Sequence, residues 1–192
     1  TELTMSMTVK RRRDDNFPRV VVHKVADIRG GVSVDTKELG GDVLLEGTPL
    51  SAPVNGVCHA VKIARVVGDV GATEKSVKIA KGHNFRVDDV VMVDEAKVAT
   101  KISKIDDTAN DYDTITIKSA VGELKKGAIL VEAKEESTNA SALKYQPVAI
   151  AGQNVVIEPK SNLIVDAWVF AVTTGHALPS CIRKSLTGVV NY

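Results

Sequence analysis

The sequence predicts a mainly β protein: a small antiparallel β-barrel or sandwich body with an extended N-terminal arm and a C-terminal β region. Apolar and polar residues alternate along residues 76–133, which is the period of strands that keep one face in water. Gly, Asn and Asp interrupt this alternation at close intervals, as turns between short strands do. Aromatic residues make up only 4% of the chain, and the apolar content comes instead from Val, Ile and Ala, which favours strands.

The chain divides into three predicted regions. Residues 1–35 form the arm, residues 36–135 form a barrel-like body, and residues 136–192 form a β region that packs on the body. A charged and then small polar stretch, EAKEESTNASA at 132–142, marks the second boundary. Two glycine pairs near the start of the body indicate sharp bends between strands, and they do not match a nucleotide-binding loop.

The arm carries a basic run made of Lys10, Arg11, Arg12 and Arg13, which is followed directly by two aspartates. Three interpretations are open. The run is a solvated segment with locally balanced charge, it binds a phosphate-rich surface, or it belongs to an anchor that becomes ordered only on a partner.

Several strands and one helix follow from the pattern. Residues 20–25 and 57–67 predict strands before the central stretch, the second of them long. Residues 180–186, after a proline, predict a short helix, and residues 189–190 predict a closing strand. Within the central stretch, four strands are expected to place alternating apolar residues on one face: Val77 and Ile79, Val91 and Val93, Val98 and Ile102, and Ile115 and Ile117.

The most apolar run, residues 163–172, predicts a strand whose two faces are both dry apart from Asp166. Such a strand is either central in a covered sheet or buried between subunits. In the second case one face forms an oligomer interface, which consists of Val165, Ala167, Val169 and Ala171.

Charge and cysteine content restrict the partners and the compartment. The formal net charge is +1, so no strong field draws the chain to nucleic acid or to an anionic membrane, and neither partner is predicted. No stretch approaches the roughly 20 apolar residues of a membrane span. The two cysteines, Cys58 and Cys181, are far apart and are expected to be thiols, as in a protein made in a reducing cytoplasm.

No catalytic, cofactor or metal site is predicted, and the chain is not expected to be an enzyme. The four histidines lie in separate segments without metal-ligand spacing. Cys58 and His59 are neighbours, which point to opposite faces of a strand and so cannot act as a nucleophile and its base. The segment DDTANDYD at 106–113 lacks the glycine and glutamate of an EF-hand loop and predicts a hairpin turn instead.

Five segments together carry a resemblance to a known class. They are LEGTPL at 45–50, VCHAVK at 57–62, AKGHNFRVDD at 80–89, the stretch 105–115 and the stretch 122–127. Over residues 30–135 this pattern resembles structural proteins of tailed-bacteriophage heads, of the head-fibre or capsid-decoration type found in phages of gut Bacteroidales. One position departs from the pattern, because Asp88 stands where a glycine is usual in the turn.

The resemblance implies a non-enzymatic virion protein that lies outside the capsid, is made in the host cytoplasm and binds the phage capsid protein. It also implies a homo-oligomer, with a trimer favoured, that is held to the shell by its N-terminal region. By that implication Lys10, Arg11, Arg12 and Arg13 pair with capsid charges. One alternative is a surface adhesin or glycan-binding β module with an exposed tyrosine, Tyr112 or Tyr192. The other is a small enzyme or metalloprotein in which His and Asp meet in one pocket.

Overall fold

The computed structural model describes residues 19–94, 98–158, 162–175 and 178–192. Nearly all of its regular structure is β, which confirms the mainly β prediction. The elements in chain order are β1 (Val21–Asp27), β2 (Val32–Val34), β3 (Val43–Leu44), β4 (Pro49–Ser51), β5 (Ile63–Arg65), β6 (Ser76–Ala80), β7 (Val90–Val93), β8 (Ala99–Asp106), β9 (Tyr112–Ile117), β10 (Ile129–Glu132), β11 (Pro147–Ala151), β12 (Val155–Val156), β13 (Leu163–Val165), β14 (Ala167–Thr173), α1 (Ser180–Arg183) and β15 (Val189–Asn191). None of the described helical residues forms a segment long and apolar enough to cross a membrane.

Six strands form one curled antiparallel sheet in the order β5, β10, β7, β8, β9, β6. The alternation sends Val77 and Ile79 of β6, and Ile115 and Ile117 of β9, into a first core, as the sequence predicts. An isolated bridge joins Val66, just after β5, to Ile79. The two edges therefore meet at one point, but within the described residues no continuous ladder closes the sheet into a barrel.

A second sheet packs against the first. Its order is β1, β14, β11, β4, and β15 pairs with β14 in parallel. Met92 and Val131 of the six-stranded sheet share a second core with Ile150 and Ala171 of this sheet and with Ile182 of α1. The two sheets thus form a sandwich, with the short helix closing one end of its core.

A third core lies on the other face of the second sheet. Two small ribbons, β2 with β13 and β3 with β12, cover this face. Val34 of β2 and Leu44 of β3 pack there against Ala149 of β11 and Ala167 of β14, and all four are almost fully buried. The chain is therefore built as three β layers around three cores.

Strand pairing groups the chain differently from the predicted boundaries at 35 and 135. Each of the first four strands pairs with a strand near the C-terminus: β1 with β14, β2 with β13, β3 with β12 and β4 with β11. The curled sheet contains only residues from 63 to 132. Alternation along the sequence identifies strands but not their partners. It therefore does not predict that the N-terminal strands pair with the C-terminal ones.

The long strand predicted at 57–67 is wrong. Only Ile63–Arg65 form a ladder, and the preceding residues make isolated bridges. Cys58 lies in the third core, Val61 in the second and Val66 in the first. The segment changes layers as it proceeds, so it cannot remain in one sheet.

The apolar run at 163–172 forms two strands, because the chain leaves β13 at Asp166 and enters the second sheet as β14. There β14 lies between β1 and β11 and is central in its sheet, although the Phe170 side chain on one of its faces is 54% exposed. The predicted short helix and closing strand are present as α1 and β15. Residues 107–111 connect β8 to β9 in the predicted hairpin.

Candidate functional site

A cleft of about 760 Å³ opens between the Gly40-Gly41 bend and the turn that follows β6. Lys81, His83 and Asp113 line its wall. The enzyme alternative requires His and Asp side chains to meet in one pocket, and here the Nε2 of His83 lies 3.2 Å from the Oδ2 of Asp113. This cleft is therefore the first candidate for a chemical site.

Both ring nitrogens of His83 are already engaged. Its Nδ1 accepts a hydrogen bond from the backbone N–H of Phe85 at 3.1 Å, so the proton of a neutral ring lies on Nε2 and points to Asp113. Burial lowers the pKa of His83 even though the carboxylate of Asp113 acts to raise it. Lys81 Nζ also bonds to Asp113 Oδ1 and to the carbonyl of Asp107. The ring keeps no lone pair for a substrate proton, and the cluster instead ties the turn after β6 to β9 and to the loop before it.

The turn at 82–89 has an unusual backbone at Asp88, whose φ is 75°. A left-handed residue is normally glycine, so Asp88 adopts a conformation that glycine takes more readily. Hydrogen bonds hold it there: the N–H of Asp88 donates to Ile102 O at 2.9 Å, and the N–H of Arg86 donates to Asp89 Oδ2 at 2.7 Å. The aspartate therefore keeps this turn at a cost in backbone strain.

Lys62 is the centre of a second cluster, which we call the Lys62 network. The network consists of Glu38, His59, Lys62, Asp89, Glu132, Lys144 and Tyr145. The Lys62 side chain is only 1% exposed, and its Nζ lies 2.6 Å from Asp89 Oδ2 and 3.3 Å from Glu132 Oε1. A lysine this deeply buried is rare unless it is paired, and here two carboxylates pair with it.

The outer half of the network reaches the surface. Lys144 Nζ bridges Glu132 Oε1 at 3.0 Å and Glu38 Oε1 at 3.4 Å. The Tyr145 hydroxyl donates to Glu38 at 2.9 Å, and its ring stacks on His59 with centroids 4.3 Å apart. The network thus joins the segment before β3 and the segment before β5 to β10 and to the entry of β11.

Burial and charge move the pKa values in this network in different directions. Burial raises the pKa of Glu132, although Lys62 and Lys144 oppose the rise. Burial also acts to raise the pKa of Glu38, but the hydrogen bond from Tyr145 and the charge of Lys144 outweigh it and lower the value. Burial and the bond to Glu38 raise the pKa of Tyr145 to about 12. At neutral pH the tyrosine is therefore a hydrogen-bond donor and Glu38 a carboxylate.

The third candidate is an apolar surface, which we call the β14 face and define as Phe170, Val172 and Val190. The register pairs Val172 with Val190 of β15, so these side chains lie on one side of the sheet. Phe170 is 54% exposed and Val190 60%. The opposite side, with Ala171, packs into the second core. A patch of apolar side chains on a sheet face is a common feature of protein–protein contacts.

Strand β1 borders this face and is irregular. Its pairing with β14 shifts between Val21 and His23 and again between Lys24 and Ala26. In the pairing of β1 with β14, Val22 and Val25 have no partner residue, and their side chains are 56% and 63% exposed. Such β-bulges add twist and are frequent at sheet edges.

The structure describes the predicted oligomer-interface residues but not the predicted capsid-contact residues. Lys10, Arg11, Arg12 and Arg13 lie outside the described residues. Of the predicted interface, Val165, Ala167 and Ala171 are buried in the chain's own cores, and Val169 is half-buried. A second copy cannot touch side chains that the chain itself covers, so an interface on this part of the sheet has to use the β14 face instead.

Sequence reasoning missed Lys62 and Glu132. Lys62 sits between Val61 and Ile63, and in a half-exposed strand that position faces water; it is buried because the segment crosses between layers there. Glu132 follows three apolar residues of β10 and begins the stretch predicted as a region boundary, whereas it is 2% exposed. A single alternating pattern contains no signal for either.

The cysteines match the prediction of two thiols, since neither forms a disulfide. Cys58 is buried in the third core, and burial raises the pKa of its thiol. Among the described residues there is no group of three or more His, Cys, Asp or Glu side chains placed to hold a metal ion.

No protein-family model, no curated protein and no solved structure matches this chain. The function is therefore argued from the residues above.

Proposed function

We propose that the chain is a non-enzymatic structural protein of a virion, a head fibre or capsid decoration attached through its N-terminal region. The observation that carries the proposal is the exposed β14 face beside the point where residues 1–18 join β1. The N–H of Thr174 donates to Val20 O at 2.8 Å, and the N–H of Tyr192 donates to Thr173 O at 2.7 Å. Val20, which the chain reaches after residues 1–18, therefore lies at the end of the second sheet that carries Val172 and Val190.

Stiffness is the second requirement of such a protein, and the Lys62 network provides it. The network connects segments of all three layers through charged hydrogen bonds that are largely shielded from water. A force applied at β1 passes through β14 into the second core and from there into the curled sheet. The proposed role therefore uses shape and attachment rather than a reaction.

Two different contacts follow from the proposal. Lys10, Arg11, Arg12 and Arg13 pair with acidic groups of the capsid protein, and this contact weakens as salt is added. The β14 face contacts further copies of the chain, with a trimer as the favoured assembly. Closed cyclic symmetry lets one apolar face be covered in every copy.

Cosedimentation with purified capsids tests the first contact. The full chain is expected to sediment with capsids, and a variant with all four basic residues changed to Ser is expected to lose most of this binding. A variant with Lys125→Ser and Lys126→Ser, far from the arm, is the control for charge alone. Binding that the arm substitutions leave unchanged, or purified virions that lack the chain by mass spectrometry, would contradict the proposal.

Light scattering tests the second contact. Phe170→Asp on the β14 face is expected to convert the oligomer to a monomer, because it puts a charge into an apolar contact. Val156→Asp is the matched control, since Val156 is 65% exposed, pairs with Val43 in a separate ribbon and is not part of the β14 face. A monomeric wild-type chain at high concentration argues against the assembly.

One observation favours a second candidate, the glycan-binding module. Tyr192 is 92% exposed, and an exposed aromatic ring is the kind of side chain on which sugars stack. A glycan array with the full chain decides between the two: a hit that Tyr192→Ala abolishes supports the module, and an array without hits removes it.

A further inference from the structure

Three ionisable side chains of the Lys62 network lie at the same end of three neighbouring strands. In the six-stranded sheet, β10 lies between β5 and β7 and runs antiparallel to both. Lys62 is the residue before β5, Asp89 is the residue before β7, and Glu132 is the last residue of β10. Since the starts of β5 and β7 flank the end of β10, the register of the sheet brings the three residues together.

The amine of Lys62 contacts both carboxyl groups, with Nζ 2.6 Å from Asp89 Oδ2 and 3.3 Å from Glu132 Oε1. The backbone supports this arrangement, because the N–H of Glu132 donates to Lys62 O at 3.0 Å. The N–H of Arg86 donates to Asp89 Oδ2 at 2.7 Å and orients that carboxyl group. The Lys62 and Glu132 side chains are 1% and 2% exposed, and that of Asp89 is 14% exposed. An amine is thus held against a carboxyl group in a site that bulk water barely enters.

We propose that Lys62 and Asp89 condense to an intramolecular isopeptide bond, with Glu132 as the carrier of a proton. The reaction is a dehydration, in which the ammonium of Lys62 and the carboxylate of Asp89 become one amide and one water molecule. Its balance requires no oxidant, reductant or other reactant. Two groups held in reacting geometry behave as if they were present at about 10⁵ M or more, and this proximity removes a large part of the barrier.

Condensation removes two protons from Nζ, and Nζ contacts an acceptor for each of them. The first proton moves from Lys62 to Asp89 Oδ2, which leaves a neutral amine and a neutral carboxylic acid. The lone pair of Nζ then forms a bond to Cγ of Asp89, and the electron pair of the C=O bond moves to Oδ1. Nζ, now positively charged, loses its second proton to Glu132 Oε1. Glu132 returns this proton to Oδ2, the carbonyl forms again at Oδ1, the Cγ–Oδ2 bond breaks, and Oδ2 leaves as water.

Glu132 is suited to take and return a proton. Burial raises its pKa; Lys62 and Lys144 oppose the rise, and the charge of Asp89 adds to it. A carboxyl group whose pKa is raised towards neutrality is a better proton carrier at neutral pH. Lys144 donates to Oε1 at 3.0 Å and holds the carboxyl group beside the amine. Glu132 touches the reacting nitrogen and is therefore the catalytic residue of this self-modification.

The isopeptide bond ties the start of β5 to the start of β7 across β10. It closes a loop over residues 62–89, and such a cross-link restricts the unfolded chain as a disulfide does, but no reductant opens it. Before the bond closes, the same side chains form the ion pairs described above, so new chain has the ion pairs and aged chain the amide. The inference goes beyond the proposed function and does not depend on it, since the chain modifies only itself.

Intact-mass spectrometry of the full chain tests the inference. After prolonged incubation at neutral pH, the wild-type chain is expected to be lighter than its sequence mass by one water molecule. Trypsin is then expected to release a product in which residues 38–65 and 87–97 are joined through Lys62 and Asp89. The Asp89→Asn variant is expected to lose ammonia in place of water, because its side-chain amide condenses to the same bond.

Three further variants separate the roles of the side chains. Glu132→Gln keeps the size of the side chain and is expected to slow the loss of mass by roughly a hundredfold, because the proton carrier is removed. Circular dichroism checks that this variant is folded. Lys62→Met is expected to keep its full sequence mass. Lys118→Met is the matched control, since Lys118 is 66% exposed in its ion pair with Glu136, and it is expected to lose water as the wild type does.

Loss of one water together with the joined peptides supports the inference. A folded wild-type chain that keeps its full sequence mass after incubation overturns it. A loss of water that maps to another site, such as a succinimide or a bond between Lys62 and Glu132, also overturns it. Condensation of the folded Glu132→Gln variant at the wild-type rate overturns the role assigned to Glu132.

Discussion

Replacing Lys62 by Met tests whether the buried cation holds the layers together. Methionine has nearly the length of lysine, so the substitution removes the charge and keeps most of the packing. Asp89 then retains the N–H of Arg86 at 2.7 Å but loses its only short contact with a cation, while Glu132 retains Lys144 at 3.0 Å. Removing one partner of a buried ion pair typically costs about 3 to 5 kcal/mol.

We expect the lower end of that range, about 3 kcal/mol, because Glu132 keeps a partner. Urea unfolding measures it: with a slope near 2 kcal/mol per molar, the midpoint falls by about 1.5 M. Lys118→Met is the matched control, since Lys118 is 66% exposed in its ion pair with Glu136, and its midpoint is expected to remain unchanged.

The pH dependence separates lost charge pairing from lost packing. Lys62 acts to lower the pKa of Glu132, so without Lys62 that pKa rises further, and a carboxyl with a raised pKa destabilises the fold only when it is ionised. The deficit of the Lys62→Met variant is therefore full at about pH 7 and shrinks as the pH falls towards 4.5, the ordinary Glu value. A deficit below about 1 kcal/mol, or one that is the same at both pH values, would refute the reasoning.

Three further outcomes are expected. Asp88→Gly raises the free energy of unfolding by about 0.5 to 1 kcal/mol in urea titrations, because glycine relieves the left-handed φ of 75°; a loss of stability would show that the aspartate side chain matters more. Gly40→Ala lowers it by about 3 kcal/mol by the same measurement, since a Cβ there overlaps the carbonyl of Phe85. Asp94→Ala costs about 1 to 2 kcal/mol by removing the acceptor of the Ser180 N–H at the start of α1. Burial acts to raise the pKa of Asp94, but hydrogen bonds from α1 outweigh it and lower the value. The carboxylate therefore stabilises the fold fully above pH 3.8, the ordinary Asp value, and this stabilisation is lost as the pH falls further. Thermal melts of the wild type and of the Asp94→Ala variant are expected to converge as the pH is lowered through that range.

Part of the curled sheet could be predicted, because inward positions alternate along its strands and two of its pairs, β7 with β8 and β8 with β9, join strands that are consecutive in sequence. The alternation is confirmed for Val77, Ile79, Ile115 and Ile117, whereas Val93 and Val98 are only half-buried. The β8–β9 hairpin was equally local, with its turn residues between the two strands. Neighbouring strands need no information beyond their own period and the turn that joins them.

The outer layers could not be predicted, because their pairs are distant in sequence. β1 pairs with β14 across more than a hundred residues, and nothing in residues 21–27 specifies that partner. The Lys62 network could not be predicted for the same reason, because its members come from five segments that are separated in the sequence. Local alternation places a side chain on a face, but the identity of the layer against that face is a property of the whole chain.

The Lys62 network also carries more negative than positive charge. Among the described residues, the three carboxylates Glu38, Asp89 and Glu132 pair with two lysines, Lys62 and Lys144. Burial raises the pKa of Glu132, and its Oε2 has no hydrogen-bond partner in the described structure, so this carboxylate bears the imbalance. Its ionised form therefore costs the fold stability that returns as the pH falls through its raised pKa. A neutral side chain at position 132 would give a more stable fold than the ionised Glu132. We therefore interpret the Lys62 network as a specificity device, which favours one arrangement of the three layers over others.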